Sequence, residues 1–159
     1  MQYQIRPYEA SDRAACLRIF RSNQPTYFTP EELGLFTTWL DEKTDENYWV
    51  IQIEGQVIGC GGIFWDDRVP GAGLSWGMVH QDLHGQGWGK IFTIERLKRI
   101  QQTYPNQPCH IDTSQHTAAF YEKLGFSTHE IIPEGFGPGL DQYKMTWYNF
   151  PPTLTHPTA

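Results

Sequence analysis

The stretch HQDLHGQGWGK, residues 80–90, places glycines at 85, 87 and 89 and ends in a lysine. A strand-like apolar run precedes it and a helix-like run follows. Glycine lets a backbone approach a ligand closely and adopt positive φ. The start of a helix offers unpaired N–H groups and a partial positive charge. A strand, a glycine-rich turn and a helix together therefore suit an anion such as a phosphate. Two well-known phosphate loops do not fit. The GxGxxG fingerprint follows a first strand and has an acidic residue ~20 positions on, whereas the spacing here is GxGxG in mid-chain. The GxxxxGK[ST] loop fails because Ile91 follows Lys90 and His84 stands where its first glycine belongs. A turn with only a structural job is the plain alternative.

Other reactive side chains have simpler readings. His80 and His84 lie four apart on a strand-to-loop segment, not on a helix, and no HExxH is present, so no metal site is expected. Cys109 and His110 are neighbours on a strand-like run and point to opposite faces, which rules out a nucleophile pair. Cys60, between glycines in an apolar run, reads as a buried structural thiol. Asp66 and Asp67 are either proton acceptors or solvated turn carboxylates ahead of RVPG. Tyr27 and Phe28 with Glu31 and Glu32 either line a pocket or form a helix cap with its hydrophobic staple.

The elements that must position these groups follow from periodicity. YQIRPY, residues 3–8, is a first strand. Ser11 or Asp12 caps a helix with Ala15, Leu17, Ile19 and Phe20 on one stripe. Thr29, Pro30 and Glu32 start a second helix running to Asp41. Residues 48–53 and 56–65 form a hairpin around Glu54-Gly55, and Gly61-Gly62 mark a bulge or a close approach. DRVPGAG is a loop and LSWGMV, residues 74–79, a strand. The helix after the glycines carries Ile91, Ile94, Leu97 and Ile100 on one stripe. CHID is a short strand, and QHTAAFYEKL a short helix closed by Gly125. FSTHEII and DQYKMTWY are the last two strands, with PEGFGPGL as a loop between them. The order is β-α-α-β-β-β-α-β-α-β-β, a mixed-sheet α/β chain. One domain, residues 1–150, and a fraying Pro/Thr-rich tail, residues 151–159, are expected.

Bulk composition narrows the function classes. A net charge of −6 argues against a nucleic-acid binder, which shows a basic face. Three cysteines without CxxC spacing argue against a disulfide framework and for a reducing, cytoplasmic setting. No run approaches the ~18 apolar residues of a membrane span. The sequence says little about oligomeric state, and a homodimer is compatible with it.

HGQGWG, residues 84–89, resembles the coenzyme A loop [QR]-x-x-G-x-[GA], with His84 where Gln or Arg is usual. FYEKLGF, residues 120–126, resembles the late motif of the Gcn5-related N-acetyltransferase (GNAT) superfamily. The element order agrees along nearly the whole chain, and the motifs are sharpest at residues 79–90 and 114–126. SNQPTYFTPEEL, GCGG and GFGPGLDQYKM resemble a small bacterial subgroup whose acceptor is unassigned.

The resemblance implies a mostly antiparallel twisted sheet flanked by helices, with acetyl-CoA as acyl donor. It places the pyrophosphate on the backbone of Gly85, Gln86, Gly87, Trp88, Gly89 and Lys90, beside His84. It places the pantetheine arm on Met78, Val79 and His80, where the strand end splays from its neighbour. Ser114 stands where an Asn often contacts the cofactor. Tyr121 matches the tyrosine near the thioester sulfur, and a phenol can protonate a departing thiolate. Relatives often carry a glutamate base in the strand before the loop. Here that position is Gly73 and its same-face neighbour is Ser75, so the base falls to Asp66, Asp67, His80 or a water chain. Tyr27, Phe28 and Trp65 would face the acceptor. The reaction implied is acetyl transfer to a primary amine of a small molecule or peptide, by direct attack in a ternary complex. A different class stays open: a non-catalytic acyl-CoA sensor on the same fold.

Overall fold

The computed structural model describes residues 2–44 and 47–148, so the expected tail at 151–159 lies outside the described residues. The strands are β1 (Tyr3–Pro7), β2 (Tyr48–Ile53), β3 (Gln56–Asp66), β4 (Gly71–Val79), β5 (Pro108–Thr113), β6 (Ser127–Gly137) and β7 (Leu140–Tyr148). The helices are α1 (Arg13–Ser22), α2 (Glu32–Glu42), α3 (Trp88–Thr103) and α4 (Ala118–Lys123), and short 3-10 turns cover Ala10–Asp12 and Gln81–Leu83. The element order is the expected one. All seven strands belong to one sheet in the order β1-β2-β3-β4-β5-β7-β6. The β1–β2, β2–β3, β5–β7 and β6–β7 pairings are antiparallel. The β4–β5 pairing is parallel and joins Ala72 to Cys109 and Gly73 to His110. None of the described helices is long and apolar enough to cross a membrane.

The chain divides into two compact units, Met1–Ile63 with Ser75–Arg96 and Phe64–Leu74 with Leu97–Ala159. In the first, α1 buries Cys16, Leu17, Ile19 and Phe20. Phe20 stacks on Phe28 at 4.5 Å and on Phe36 at 5.1 Å, and the Trp76 ring lies 5.3 Å from Phe36. Full burial of a Phe contributes on the order of 1.5–3 kcal/mol, so this aromatic stack is a principal anchor of α1 and α2. Thr29 does not cap α2 as expected: its N–H and hydroxyl both donate to the Glu32 carboxylate, at 2.9 and 3.3 Å, and the N-cap position falls to Glu31. The helix itself begins at Glu32 rather than Pro30. Asp12 does not cap α1. Its carboxylate turns back to accept the Glu9 N–H at 2.8 Å and two Arg6 N–H groups at 2.9 Å.

In the second unit, Phe126 N–H reaches the Tyr121 carbonyl and Gly125 N–H the Glu122 carbonyl. With Gly125 at φ +103°, these bonds make a Schellman stop that ends α4 as expected. Two expected loops are partly strand. DRVPGAG gives its last three residues to β4, and PEGFGPGL is absorbed into β6 and β7, which meet at Gly137–Leu140. Turn-rich composition masked both, because the glycines and Pro133 serve irregular strand pairing there instead of ending it.

Candidate active site

The glycine loop takes its shape from φ values that only glycine adopts readily. Gly85 has φ +81° and Gly87 φ +91°, and a Cβ at either would meet nothing within 4 Å. The backbone there is thus left-handed and its face is open. Helix α3 starts at Trp88, two residues before Lys90, and its first bond joins Ile91 N–H to the Gly87 carbonyl. The amides of the preceding turn therefore point along the helix axis without intrahelical acceptors. Gln86, Gly87 and Lys90 are exposed. Open backbone, a helix start and a lysine fit a diphosphate.

The segment between β4 and the loop is held from α1. The Val79 carbonyl accepts from Asn23 Nδ2 at 3.1 Å and from His84 Nε2 at 2.9 Å. A carbonyl only accepts, so His84 carries its proton on Nε2. Gln81 N–H donates to Ser22 Oγ at 3.0 Å. His80 N–H donates to the Ile58 carbonyl at 2.9 Å, so this strand end stays paired to β3. Met78 and Val79 are buried, and the Tyr27 ring meets His84 edge-on at 5.2 Å.

The candidate bases are already engaged. His80 Nδ1 accepts the Asp82 N–H at 3.1 Å, so the lone pair on that nitrogen is already in use. Asp66 accepts the Arg68 backbone N–H at 2.9 Å and its guanidinium at 3.2 Å. That guanidinium, with the backbone bond, holds the Asp66 carboxyl below the usual range and weakens it as a base. Asp67 accepts from Trp65 Nε1 at 2.9 Å. Local partners therefore account for Glu32, Asp66 and Asp67. Phe28 is committed to its stack with Phe20. Trp65 is exposed, its ring 5.5 Å from Tyr104.

In the second unit Tyr121 is half-buried on α4, edge-on to Phe120 at 5.1 Å and to Phe126 at 5.4 Å. Ser114 is buried, and its Oγ accepts the His116 N–H at 3.2 Å in the turn that leads into α4. His110 Nδ1 pairs with Thr146 Oγ1 at 3.0 Å, away from the buried Cys109. All three cysteines are buried and unbridged. No group of metal-ligating side chains occurs among the described residues. A surface cavity of about 310 Å³ lies between Tyr8, Arg13, Leu40 and Asp41 and includes none of the expected site residues.

Sequence reasoning missed Arg96. It is 2% exposed, and its guanidinium donates to the Gly62 carbonyl through Nε (3.3 Å) and Nη2 (3.0 Å) and to the Ser75 carbonyl through Nη2 (3.1 Å). The buried face of α3 is Phe92, Thr93, Arg96, Leu97 and Ile100, so Leu97 and Ile100 of the expected stripe are buried while Ile91 and Ile94 are only half-buried. The available signal was the glycine-rich strand opposite, read only as a bulge or close approach.

The chain is similar to solved acetyltransferases along its length. Ard1 of Thermoplasma volcanium is 19% identical, with TM-score 0.77, 95% of this chain and 100% of that one covered. The ribosomal-protein-S18-alanine N-acetyltransferase of Escherichia coli is 16% identical, with TM-score 0.76 and coverages of 94% and 96%. YncA of Salmonella typhimurium, solved with its cofactor acetyl-CoA, is 18% identical, with TM-score 0.74 and coverages of 95% and 96%. No curated protein matches by sequence. These likenesses speak for the fold. The family model described as "Acetyltransferase (GNAT) domain" matches residues 44–128, a stretch holding the glycine loop and Tyr121. Since that stretch is more than half of the sequence, the chain belongs to the GNAT family of acetyltransferases.

Proposed function

We propose that the protein transfers the acetyl group of acetyl-CoA to a primary amine of a small molecule or peptide, by direct attack in a ternary complex. The observation that carries this reading is the open, left-handed glycine loop running into α3. Residues 85–90 hold the pyrophosphate through backbone amides, with Lys90 adding charge. The arm of the donor follows the backbone of Met78–His80, where the carbonyl of Val79 is already taken by Asn23 and His84. The acceptor is a neutral amine. Its lone pair attacks the thioester carbonyl, a C–N bond forms, the C–S bond breaks, and the amine loses a proton. Backbone near Val79 polarises the carbonyl oxygen, and Tyr121 protonates the departing thiolate. Of the candidate bases, His80 must give up its bond to Asp82 N–H to accept a proton at Nδ1, and Asp66 must work against Arg68. A water chain to bulk solvent is the route that breaks no observed bond. Tyr27 and Trp65 contribute to the acceptor side, and Phe28, expected there, serves the core stack instead.

Because the candidate bases are engaged, a sensor that binds acyl-CoA without turnover is the second reading. One measurement tests the binding site that both readings share, and a second separates them. Calorimetry with acetyl-CoA should show binding to the wild type and its loss in Gly87→Glu, with the circular dichroism spectrum kept. Undiminished binding in that variant removes the loop assignment. Thiol release from acetyl-CoA across a panel of amines should show turnover. Binding without release for every amine would leave the sensor.

A further inference from the structure

Arg96 is a buried cation placed where helix α3 meets two strands, and two glycines make room for it. A Cβ at Gly61 would stand 2.8 Å from the guanidinium carbon, and one at Gly77 would stand 2.2 Å from Nη1. The guanidinium lies 5.6 Å from the Phe92 ring centroid, and its N–H groups are shared between the carbonyls of β3 (Gly62) and β4 (Ser75). Directly after Ser75, Trp76 has φ +37°, a left-handed backbone inside a strand. The Trp76 carbonyl is in turn held by Tyr48 Oη at 2.9 Å. The kink in β4 is therefore pinned on consecutive residues, by Arg96 and by Tyr48. From the kink the strand runs through Gly77 to Met78 and Val79. From Arg96, α3 runs back eight residues to Trp88 at the loop, ~12 Å at helical rise.

The geometry points to Arg96 as a positioning residue that fixes the distance between the pyrophosphate loop and the β4 end, the two places that grip one CoA molecule. This rests on the functional reading given above. A ligand held at two places gains affinity only when both can be engaged at once, so the gain measures their relative placement. A planar fork suits this role, because it bonds two strands in one plane, which a lysine ammonium on a flexible stem does not.

The test compares CoA with 3′-phosphoadenosine 5′-diphosphate, the nucleotide half of CoA that carries the pyrophosphate and no pantetheine. In the wild type CoA binds more tightly than the nucleotide half. In Arg96→Met that advantage should shrink by ~10-fold while the affinity of the nucleotide half changes less than ~2-fold. Arg96→Lys should recover only part of it. If Arg96→Met does not fold, Gly77→Ala puts a methyl into the guanidinium slot with the charge kept, and it should give the same selective loss. A lower melting temperature with an unchanged affinity ratio would make Arg96 a stability residue and overturn the inference, as would full recovery by Arg96→Lys. Failure of the wild type to bind CoA at all would instead overturn the functional reading, and this inference with it.

Discussion

The Val79 carbonyl is where the first unit commits a strand end to one geometry. With Asn23 and His84 both donating to it, its two lone pairs are used within the protein, and a pantetheine amide must read other backbone groups. In the proposed reaction Tyr121 is the acid that protonates the departing thiolate. A positioned acid contributes ~10²–10⁴-fold to such a step. Tyr121→Phe deletes only the hydroxyl and keeps the ring contacts with Phe120 and Phe126. It should lower kcat for a true acceptor by at least ~10-fold with little change in acetyl-CoA affinity, since ground-state contacts to the donor are mostly backbone. Steady-state and single-turnover kinetics measure both. Full turnover with chemistry rate-limiting would make Tyr121 a packing residue.

At the scale of elements, Asp12 joins β1 to the turn that launches α1. Hydrogen bonding from Arg6, helped by the Glu9 N–H, lowers its carboxyl below the ordinary range, although burial pushes the other way. A carboxyl depressed in the folded state adds stability that is present above its unfolded pKa of about 4 and fades as pH falls through the folded value. Asp12→Asn should therefore destabilise by about 1.5–3 kcal/mol at neutral pH, and the gap to wild type should close below about pH 4. Urea unfolding across pH measures this, and a gap constant down to pH 2 would contradict it. Which elements exist was readable from period and punctuation. The Schellman stop at Gly125 is an example, because Gly after a short amphipathic run has few other uses. Three things were not readable. Asp12 looks like a helix cap in sequence but bonds to Glu9 and Arg6. Glu32 reads equally as pocket lining and Asp66 and Asp67 as proton acceptors, yet each has a local partner. Arg96 is a charged residue on a helix, a type that is rarely fully buried, and nothing in its own segment marks it as an exception. Burial of a charge depends on space made elsewhere in the chain, here at Gly61 and Gly77, and periodicity within one helix does not report it.

For the whole molecule, binding and stability are linked. CoA that binds only the native state should stabilise it by ~2.7 kcal/mol at a hundred times its Kd, a rise of about 5–10 °C in Tm for a chain of this size. Differential scanning fluorimetry with millimolar CoA measures it, and no shift would count heavily against the functional reading. The sheet order has a separate consequence at its margin. β6 is an outer strand, and its pairing with β7 is irregular between Ile132 and Gly137. Within that stretch Pro133 has no N–H to offer, Glu134 has φ +54°, and the Glu134 N–H turns to the Asp141 carboxylate at 2.9 Å. A foreign strand laid along this margin would find a missing donor, a kink and an acidic side chain within two residues. The border thus resists templating, and a chain with an otherwise extendable sheet is protected on that side from cross-β aggregation.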